Sequence, residues 1–593
     1  MPQSSTTPPI PTPPEAAPAT AARRWPRRLF LGGFTFLVVV CLLANVVIWF
    51  PVEGAVTGIG ALPVLVAQSS GIALVLMTIA WFAFFSRLSG LARGGILAAI
   101  LLPLIAFVGS IRDLEFTADM VVTPVFRWQK LQTQVVDEDR QKEASTPAAE
   151  IAVPVVTPED MPGYRGVNRD GIIAGPPIRE NWSEAPPKEL WKRPVGEGYS
   201  QFAVLGNLLV TLEQRAKGES VVCYAADSGR ELWIHQTPAL FDEAQGGAGP
   251  RSTPQIDGDR VYTLGAMGDL ACLQLADGKP VWTRNVLDST GIVNSMWGMT
   301  SSPLIDGDQL IINIGSPVGH GLLSFDKATG TPKWQTTGKS VGAPDSGVTT
   351  VPTSTDSAPP PKAPTPTTSG GDEHGQGAAG QALSGYCSPM IADVGGVRQI
   401  LNFDGTGLYG HDLQDGHVLW EFPFQNPPGI NVAQPILLKD GTIFITSSYG
   451  LGSMRLRVDK KEGTSEWSVT PEWKRPSTDL KAKMASAILH EGFVYGLDEG
   501  ILVCINPETG KRTWKGGRYG HGQLLLTDGK LIVLTEKGEL VVVHPNPKKH
   551  EEVAKFAALP SDVKTWNPPA ISRGILYIRN HHWMAAYDVR AMQ

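Results

Sequence analysis

The chain has 593 residues, 42% of them hydrophobic, with 64 glycines, 48 prolines and a formal net charge of −6. This length allows several domains. The balance of charge provides no concentrated basic surface, so a nucleic-acid-binding function is not expected.

Residues 1–28 are predicted to form a disordered cytoplasmic tail. The first 22 residues are rich in Pro, Ala, Ser and Thr and carry a single charge at Glu15. Such a composition cannot bury enough apolar surface to fold.

Residues 29–111 are predicted to contain three transmembrane helices, because uncharged apolar runs occupy 29–50, 61–85 and 95–111. Arginines precede the first run and lie between the second and third. The positive-inside rule then places the N-terminus in the cytoplasm and the chain after the third span outside it. We therefore expect a multi-pass protein of the inner membrane with its C-terminal part in the periplasm.

The residues Arg27-Arg28-Leu29-Phe30-Leu31 also resemble a twin-arginine export signal. Against this alternative, the apolar run is long for a signal peptide, no convincing cleavage site follows, and two further apolar runs come next. We favour arginines that anchor the first span. Residues 112–160 are expected to form a juxtamembrane helix, around DEDRQKE at Asp137, and then a linker.

One phrase recurs through the rest of the chain, with Gly four residues before Trp. It ends at Trp233, Trp282, Trp334, Trp420, Trp467 and Trp514, at spacings of 49, 52, 86, 47 and 47 residues. A period of this size indicates a solenoid or a propeller. Short alternating apolar runs precede the phrase, and Asp-Gly pairs such as Asp257-Gly258 supply hairpin turns. Four antiparallel strands per repeat predict a propeller blade.

Eight segments of similar character begin the repeats, so the fold class is all-β, an eight-bladed propeller over residues 161–593. These segments start at Tyr199, Ser252, Ser301, Cys387, Ala433, Ala485, Gly522 and Asn567. The seventh blade ends in a degenerate hairpin around VAKF, and the eighth has only three C-terminal strands. The strand around Trp191 is expected to complete the eighth blade and close the ring. Residues of about 340–380, of low complexity, predict a disordered insertion.

No catalytic, cofactor-binding or metal-binding residue is predicted. Cys223, Cys272 and Cys504 occupy one register in three blades, which favours buried packing, Cys387 lies at a blade start, and Cys41 lies in the first span. No metal-type cysteine spacing occurs.

Three polar groups were considered as sites. His581 and His582 are expected to point to opposite faces of a strand or to lie in a loop, which argues against one shared metal. The run Glu213-Gln214-Arg215 fits a polar cluster at a blade mouth or a solvated strand end equally well. Arg251, at a blade start, could bind an anionic ligand or form structural hydrogen bonds, and we favour the latter.

The phrases CYAADSGRELW, SFDKATGTPKW and CINPETGKRTW resemble the repeat of pyrroloquinoline-quinone-type propellers. That family includes the quinoprotein dehydrogenases and an outer-membrane assembly lipoprotein that is a protein-binding scaffold without the cofactor. The resemblance implies that each Trp docks on a neighbouring blade. The segment YRGVNRDG, from Tyr164, resembles a lead-in of repeat proteins in planctomycete-like bacteria.

The dehydrogenases hold the quinone against a disulfide of adjacent cysteines, with calcium bound by Glu, Asn and Asp. This sequence has no Cys-Cys pair and no CxxCH haem motif. We therefore predict a membrane-anchored extracytoplasmic scaffold that binds a protein or envelope component, more a binding protein than an enzyme, with no cofactor. The alternative is a quinone-dependent oxidoreductase of alcohols or sugars that uses pyrroloquinoline quinone and calcium. A membrane-coupled sensor is a third hypothesis, with only a short tail to carry a signal.

Overall fold

The computed structural model describes residues 34–36, 38–40, 62–86, 88–116, 122–142, 151, 153–182, 184–243, 245–315, 321–336, 385–475 and 479–591. They belong to two compact units, Met1–Trp128 and Gln129–Gln593, which we describe separately. The predicted tail (1–28), most of the first predicted span (29–50) and the predicted insertion (340–380) lie outside the described residues.

The first unit contains helices α1 (Leu62–Phe85) and α2 (Gly90–Ser110) and a hairpin of β1 (Ile111–Phe116) and β2 (Val122–Phe126). Residues 34–36 and 38–40 are also helical. The hairpin replaces the start of the juxtamembrane helix that we predicted after residue 111. Its β-branched and aromatic residues fit a strand better than a helix.

Helix α2 starts five residues before the predicted span. The residue in front of the helix caps its N-terminus, and the charged residue in its first turn does not prevent it from starting there. Ser89 Oγ accepts a hydrogen bond from the Ala92 amide at 3.4 Å, as N-cap serines do. The Arg93 guanidinium donates to carbonyls at the end of α1, those of Ala83 at 3.0 Å and Ser86 at 2.7 Å. The charge is thus satisfied without ending the helix.

One of the three predicted spans is found as a candidate membrane helix among the described residues. Helix α2 is the one helix in this part of the chain that is long and apolar enough to cross a bilayer, judged by length and composition. Helix α1, at the second predicted span, contains a shorter apolar stretch, Gln68–Ala83. Most of the first predicted span lies outside the described residues and stays a prediction.

The second unit begins with helix α3 (Gln132–Gln141), followed by the short strand β3 (Ile172–Ile173) and β4 (Lys188–Pro194). Val136 of α3 is fully buried. Gln132 Nε2 donates to the carbonyls of Val195 at 2.8 Å and His582 at 2.7 Å. The helix is therefore packed on the place where the two ends of the propeller meet.

Eight antiparallel sheets form the propeller, as predicted. The first three blades are β5–β8 (Ala203–Leu205, Leu208–Arg215, Gly218–Ala225, Glu231–Thr237), β9–β12 (Gln255–Asp257, Arg260–Leu264, Asp269–Gln274, Pro280–Asn285) and β13–β16 (Leu304–Asp306, Gln309–Asn313, Leu322–Asp326, Pro332–Gln335). The next three are β17–β20 (Met390–Val394, Val397–Phe403, Gly407–His411, Val418–Pro423), β21–β24 (Ile436–Leu437, Ile443–Ser447, Gly452–Lys460, Trp467–Arg475) and β25–β28 (Ile488–His490, Phe493–Asp498, Ile501–Ile505, Arg512–Arg518). Helix α4 (Val286–Thr290) follows blade 2.

The last two blades use strands from the N-terminal side of the unit. Blade 7 is β29–β32 (Gln523–Thr527, Lys530–Leu534, Glu539–Val543, Glu552–Ala557), and blade 8 contains β33–β35 (Ala570–Ser572, Ile575–Arg579, Trp583–Asp588). Strand β4 pairs with β35, with Trp191 opposite Ala586, which confirms the predicted closure. Strand β3 adds a fifth strand, parallel to β29, to blade 7.

Several of the repeated tryptophans pack on the glycine of the next blade's phrase, as Trp233, Trp282 and Trp334 do on Gly278, Gly330 and Gly416. Trp233 Nε1 donates to the Leu275 carbonyl at 2.8 Å. Its ring covers Gly278, where an added Cβ would lie 2.4 Å from Trp233 Cε3 and where φ is +70°. Only glycine fits both the close approach and the left-handed backbone. This explains the Gly and Trp spacing of the phrase.

Blade 5 departs from the expected register. Trp467 ends the phrase in sequence, but Trp473 makes the contact with the next blade. Trp473 Nε1 donates to the Pro507 carbonyl at 2.9 Å, and its ring covers Gly510. Strand β24 is long enough to present a second tryptophan, so sequence spacing alone selected the wrong residue.

Candidate functional site

Hydroxyl groups at the blade starts link adjacent blades around the axis. The amide of Gln201 donates to Thr253 Oγ1 at 3.3 Å, Thr253 to Ser302 Oγ at 3.0 Å, and Ser302 to Ser388 Oγ at 2.9 Å. The amide of Gln434 donates to Ser486 Oγ at 3.0 Å. Buried backbone groups need such partners, so the polar residues at the predicted blade starts are structural.

The lead-in segment, residues 161–173, runs inside the ring of blades. Met161 pairs with Val204 on the inner strand of blade 1, and the Pro162 carbonyl accepts from the Ile256 amide on blade 2. At its other end, β3 pairs with the inner strand of blade 7. The chain therefore fills part of its own axial channel.

Two buried arginines of the lead-in segment tie distant blades together. Arg169 donates to the carbonyls of Pro389 at 2.7 Å and Ser302 at 3.2 Å, and also to that of Pro303. Arg165 donates to the Ala487 carbonyl at 3.1 Å. Burial lowers the pKa of Arg169 to about 10. Both residues have φ of +58°, a conformation that surrounding contacts must hold.

The strands of each blade are antiparallel, so the second turn of a blade and the connection to the next blade lie at the same end. We call this end of the propeller the loop face and the end formed by the first and third turns the turn face. The connections 238–252 and 286–301 lie side by side on the loop face. An added Cβ on Gly298 would lie 3.1 Å from Phe241 Cε2.

A cluster of aromatic and basic side chains lies on the loop face near the start of blade 1. The Tyr199 ring stacks on Trp566 at 5.2 Å between centroids and lies 4.9 Å from the His581 ring. The Arg251 guanidinium lies over Tyr199 at 5.6 Å, and Lys564 Nζ lies over Trp566 at 5.3 Å. We call these five residues the aromatic cluster.

Arg251 makes the structural contacts that we favoured. Its guanidinium donates to the carbonyls of Gly249 at 2.9 Å and Gly247 at 3.1 Å and pairs with Glu243 at 3.0 Å. It also lies 4.8 Å from the Phe241 ring centroid. Burial lowers the pKa of Arg251, and Glu243 opposes that effect. The arginine therefore orders the connection between blades 1 and 2.

Two further tyrosines of the loop face have left-handed backbones, Tyr386 with φ of +70° and Tyr449 with φ of +56°. Tyr386 packs edge-on against Trp297 at 5.5 Å, and Lys483 Nζ lies 6.0 Å from the Tyr449 ring. Burial raises the pKa of Tyr386. Left-handed residues also lie in first turns of the turn face, at Glu491, Asp528 and Arg573, so the aromatic side chains, and not the backbone conformation, make the loop face the candidate binding surface.

His581 and His582 lie in a bend before β35, with ring centroids 5.4 Å apart. The expectation that they point to opposite faces of a strand is therefore wrong, while the loop alternative is right. With Glu197, their ligand atoms lie within 4.8 Å of one another. His581 Nδ1, however, accepts from the Gly198 amide at 3.3 Å. Burial lowers the pKa of His581 strongly and that of His582 to about 4, so both rings are neutral at pH 7.

Among the described residues, the groups of three possible ligands drawn from His, Cys, Asp and Glu side chains are Glu197 with the two histidines, and Asp412, Asp415 and His417. Each includes imidazole nitrogen, whereas calcium prefers oxygen ligands. The calcium set of the quinoprotein dehydrogenases also uses an asparagine, which these groups do not cover. The sequence also lacks the adjacent cysteines of the quinone clamp. The absence of a cofactor stays a prediction.

The run Glu213-Gln214-Arg215 is neither at a blade mouth open to solvent nor a solvated strand end. Glu213 is 0% exposed. It binds Arg215 Nε at 2.5 Å and accepts from the Tyr224 hydroxyl at 2.8 Å. Burial raises the pKa of Glu213, but Arg215, Arg579 and Arg140 outweigh burial and hold it below its ordinary value. Because Arg140 belongs to α3, this network joins the helix to blade 1.

The cysteines follow the packing prediction. Cys223, Cys272 and Cys504 are buried and free, and each pairs across the sheet with the tryptophan of its repeat. Cys387 is also buried, and its thiol donates to Gln434 Oε1. Burial raises the pKa of the Cys387 thiol, so it is not a reactive thiolate. Cys41 lies outside the described residues.

Sequence reasoning missed the role of Arg165 and Arg169 and the aromatic cluster. The sequence pattern identifies YRGVNRDG only as a lead-in. The two arginines in this glycine-rich segment, without nearby partners, could have indicated buried contacts with distant parts of the chain. The aromatic cluster combines residues from blades 1 and 8 and two connections. No local spacing could have brought these residues together.

The eight sheets arranged around one axis form an eight-bladed propeller of the pyrroloquinoline-quinone type. A sequence model of the family described as outer membrane protein assembly factor BamB matches residues 181–358 and 369–516. The chain belongs to this family. No curated protein sequence matches it.

Solved propellers resemble the chain at low sequence identity. BamB from Moraxella catarrhalis is 14% identical, with a TM-score of 0.43, covering 68% of this chain and 98% of its own. A europium-containing methanol dehydrogenase is 11% identical, with a TM-score of 0.44 and coverages of 73% and 98%. The quinohemoprotein alcohol dehydrogenase from Comamonas testosteroni is 12% identical, with a TM-score of 0.42 and coverages of 78% and 84%.

Proposed function

We propose that the propeller is a binding scaffold of the cell envelope, tethered to the membrane by its N-terminal apolar helix and lying outside the cytoplasm. Membership in a family described by an outer membrane assembly factor supports a role in binding proteins. Helix α2 supports the tether. The partner is a protein or another envelope component that binds the loop face.

The observation that carries this proposal is exposed apolar surface on the loop face. Leu240, in the connection 238–252, is 56% exposed, and Val293 and Met296, in the connection 286–301, are 59% and 56% exposed. The two connections are in contact through Gly298 and Phe241. Apolar side chains grouped in this way mark interaction surfaces. The lead-in segment fills part of the axis, which favours binding on the face over binding deep inside the ring.

Site-specific photocrosslinking in cells tests the proposal. A photoreactive residue replaces Met296 on the loop face or, as the control, exposed Ser228 in the third turn of blade 1. We expect one discrete adduct from position 296 and none from position 228. The adduct should disappear when Leu240 is changed to Asp. Equal labelling from both positions, or labelling that ignores Leu240→Asp, would contradict the proposal.

The second candidate is a quinone-dependent oxidoreductase, which the stacked Tyr199 and Trp566 rings favour because a flat quinone needs an aromatic surface. Against it stands the missing pair of adjacent cysteines. On balance we favour the scaffold.

A further inference from the structure

A cavity of about 390 Å³ lies between the facing sides of blades 1 and 2. On blade 1, Glu219 pairs with Thr237 and Val221 pairs with His235. Side chains of paired residues lie on the same side of a sheet, and alternate residues share that side. These four side chains therefore form one wall of the cavity.

The opposite wall comes from blade 2 by the same rule. Asp269 pairs with Asn285, and Ala271 pairs with Thr283. The side-chain amide of Asn285 donates from Nδ2 to Asp269 Oδ1 at 3.1 Å. The walls thus bring side chains of two blades together in a space large enough for a small ligand.

Two carboxyl groups from different blades converge over Gly265. An added Cβ on Gly265 would lie 2.3 Å from Glu219 Oε2 and 3.6 Å from Asp269 Cβ. Glu219 is 3% exposed and accepts from the Ala266 amide at 3.0 and 3.2 Å. A buried carboxylate beside a second carboxylate is unfavourable, so one of them takes up a proton unless a cation offsets the charge.

The electrostatics of the cavity agree with that conclusion. Burial raises the pKa of Glu219 to about 8, and Asp269 raises it further while Arg251 opposes the rise. Burial also raises the pKa of Asp269 and lowers that of His235. Among the described residues, His235 Nε2 is a buried atom without a hydrogen-bond partner. The cavity therefore offers carboxyl oxygens as acceptors, with the His235 ring beside them.

We propose that the cavity between blades 1 and 2 binds a guanidinium group. A guanidinium is planar and carries five N–H donors, which suit two carboxyl groups on opposite walls. Leu212, Val221 and Pro238 line the same space and provide apolar surface for the stem of the ligand. The group belongs to a free small guanidine or to an arginine side chain of a bound protein. The site lies at the loop-face end of the two blades, beside the apolar surface proposed above, and its lining does not include Leu240, Val293 or Met296.

Titration calorimetry of the full chain in detergent tests this proposal. The probes are ethylguanidine and the blocked tripeptide acetyl-Gly-Arg-Gly-amide, with the citrulline tripeptide as the uncharged control. We expect saturable binding of the two guanidinium probes and none of the citrulline peptide. Tighter binding of the tripeptide would identify a protein side chain as the source, and tighter binding of ethylguanidine a free guanidine.

Conservative variants decide whether the carboxyl groups are responsible. Glu219→Gln and Asp269→Asn should each weaken binding about tenfold or more, because each removes a charged acceptor. Asp277→Asn, at the exposed hairpin of the same blade, should leave binding unchanged. If Glu219→Gln fails to fold, Asp269→Asn decides alone. Absence of saturable binding to the unchanged protein, or equal binding by Asp269→Asn and Asp277→Asn, would overturn the proposal.

Discussion

The buried network around Glu213 should be the most sensitive polar site of the propeller. Glu213→Gln keeps the shape of the side chain but removes the negative charge that offsets Arg215, Arg140 and Arg579. Glu213 is fully buried, and its bond to Arg215 Nε is 2.5 Å long. Removing one partner of a buried ion pair costs about 3–5 kcal/mol when the other charge stays buried and unpaired, and because Arg215 keeps its pair with Glu231 at 2.7 Å, the lower end of that range applies. We expect a loss of this size in the free energy of unfolding.

Urea denaturation of the full chain in detergent, followed by tryptophan fluorescence, measures this loss. Glu138→Gln is the matched control, since Glu138 lies on the same helix α3 and pairs with Lys130 at the exposed surface, 2.7 Å apart. The control should leave the urea midpoint unchanged. A loss below about 1 kcal/mol for Glu213→Gln, the range of exposed pairs, would refute the argument that α3 and blade 1 are joined by buried charge.

Three further predictions follow from the fold. Trp473→Ala should reduce the free energy of unfolding by about 3 kcal/mol, the lower end of the range for buried aromatic deletions, because its ring is partly buried, and Trp467→Ala by less, measured by the same urea titration. Arg169→Ala should expose the lead-in segment to limited proteolysis, with new cleavage between residues 153 and 173 on gel and mass analysis; an unchanged digest would contradict its role in holding the segment. Glu219 has a folded pKa of about 8 against an ordinary 4.5, so the folded state binds the extra proton between these values. The free energy of unfolding should therefore fall as pH rises from about 4.5 to about 8, and Glu219→Gln should lessen that fall; equal pH slopes for variant and unchanged protein would contradict it.

Most of the fold could be predicted from the sequence, because each repeat contains its own turn residues and the residues that pack on the next blade. The tryptophan ring of the neighbouring blade packs on the glycine of the phrase, as Trp233 packs on Gly278, and the Asp-Gly pairs form the hairpin turns. The strand around Trp191 could be assigned to blade 8 because the C-terminal repeat lacked one strand. These signals are local, so one sequence suffices to find them.

The sequence carried much less of the candidate site, because that site depends on contacts between distant segments. Arg169 binds carbonyls of blades 3 and 4, more than 130 residues away. Tyr199 and Trp566 stack only because the ring closes. The sequence pattern allows Glu213 to be a solvated strand end, but helix α3 covers it in the structure. In blade 5, the regular spacing predicts that Trp467 packs on the next blade, whereas Trp473 makes that contact in the structure.

The central claim is that the propeller binds a partner and not a quinone cofactor, and a titration of the full chain with pyrroloquinoline quinone and calcium tests it most directly. Calorimetry and absorbance would follow binding, with the same titration without calcium as the control. The account predicts no saturable, calcium-dependent binding, because the sequence has no adjacent cysteines to form the quinone clamp. Calcium-dependent binding at micromolar affinity or tighter would contradict the account and support the oxidoreductase.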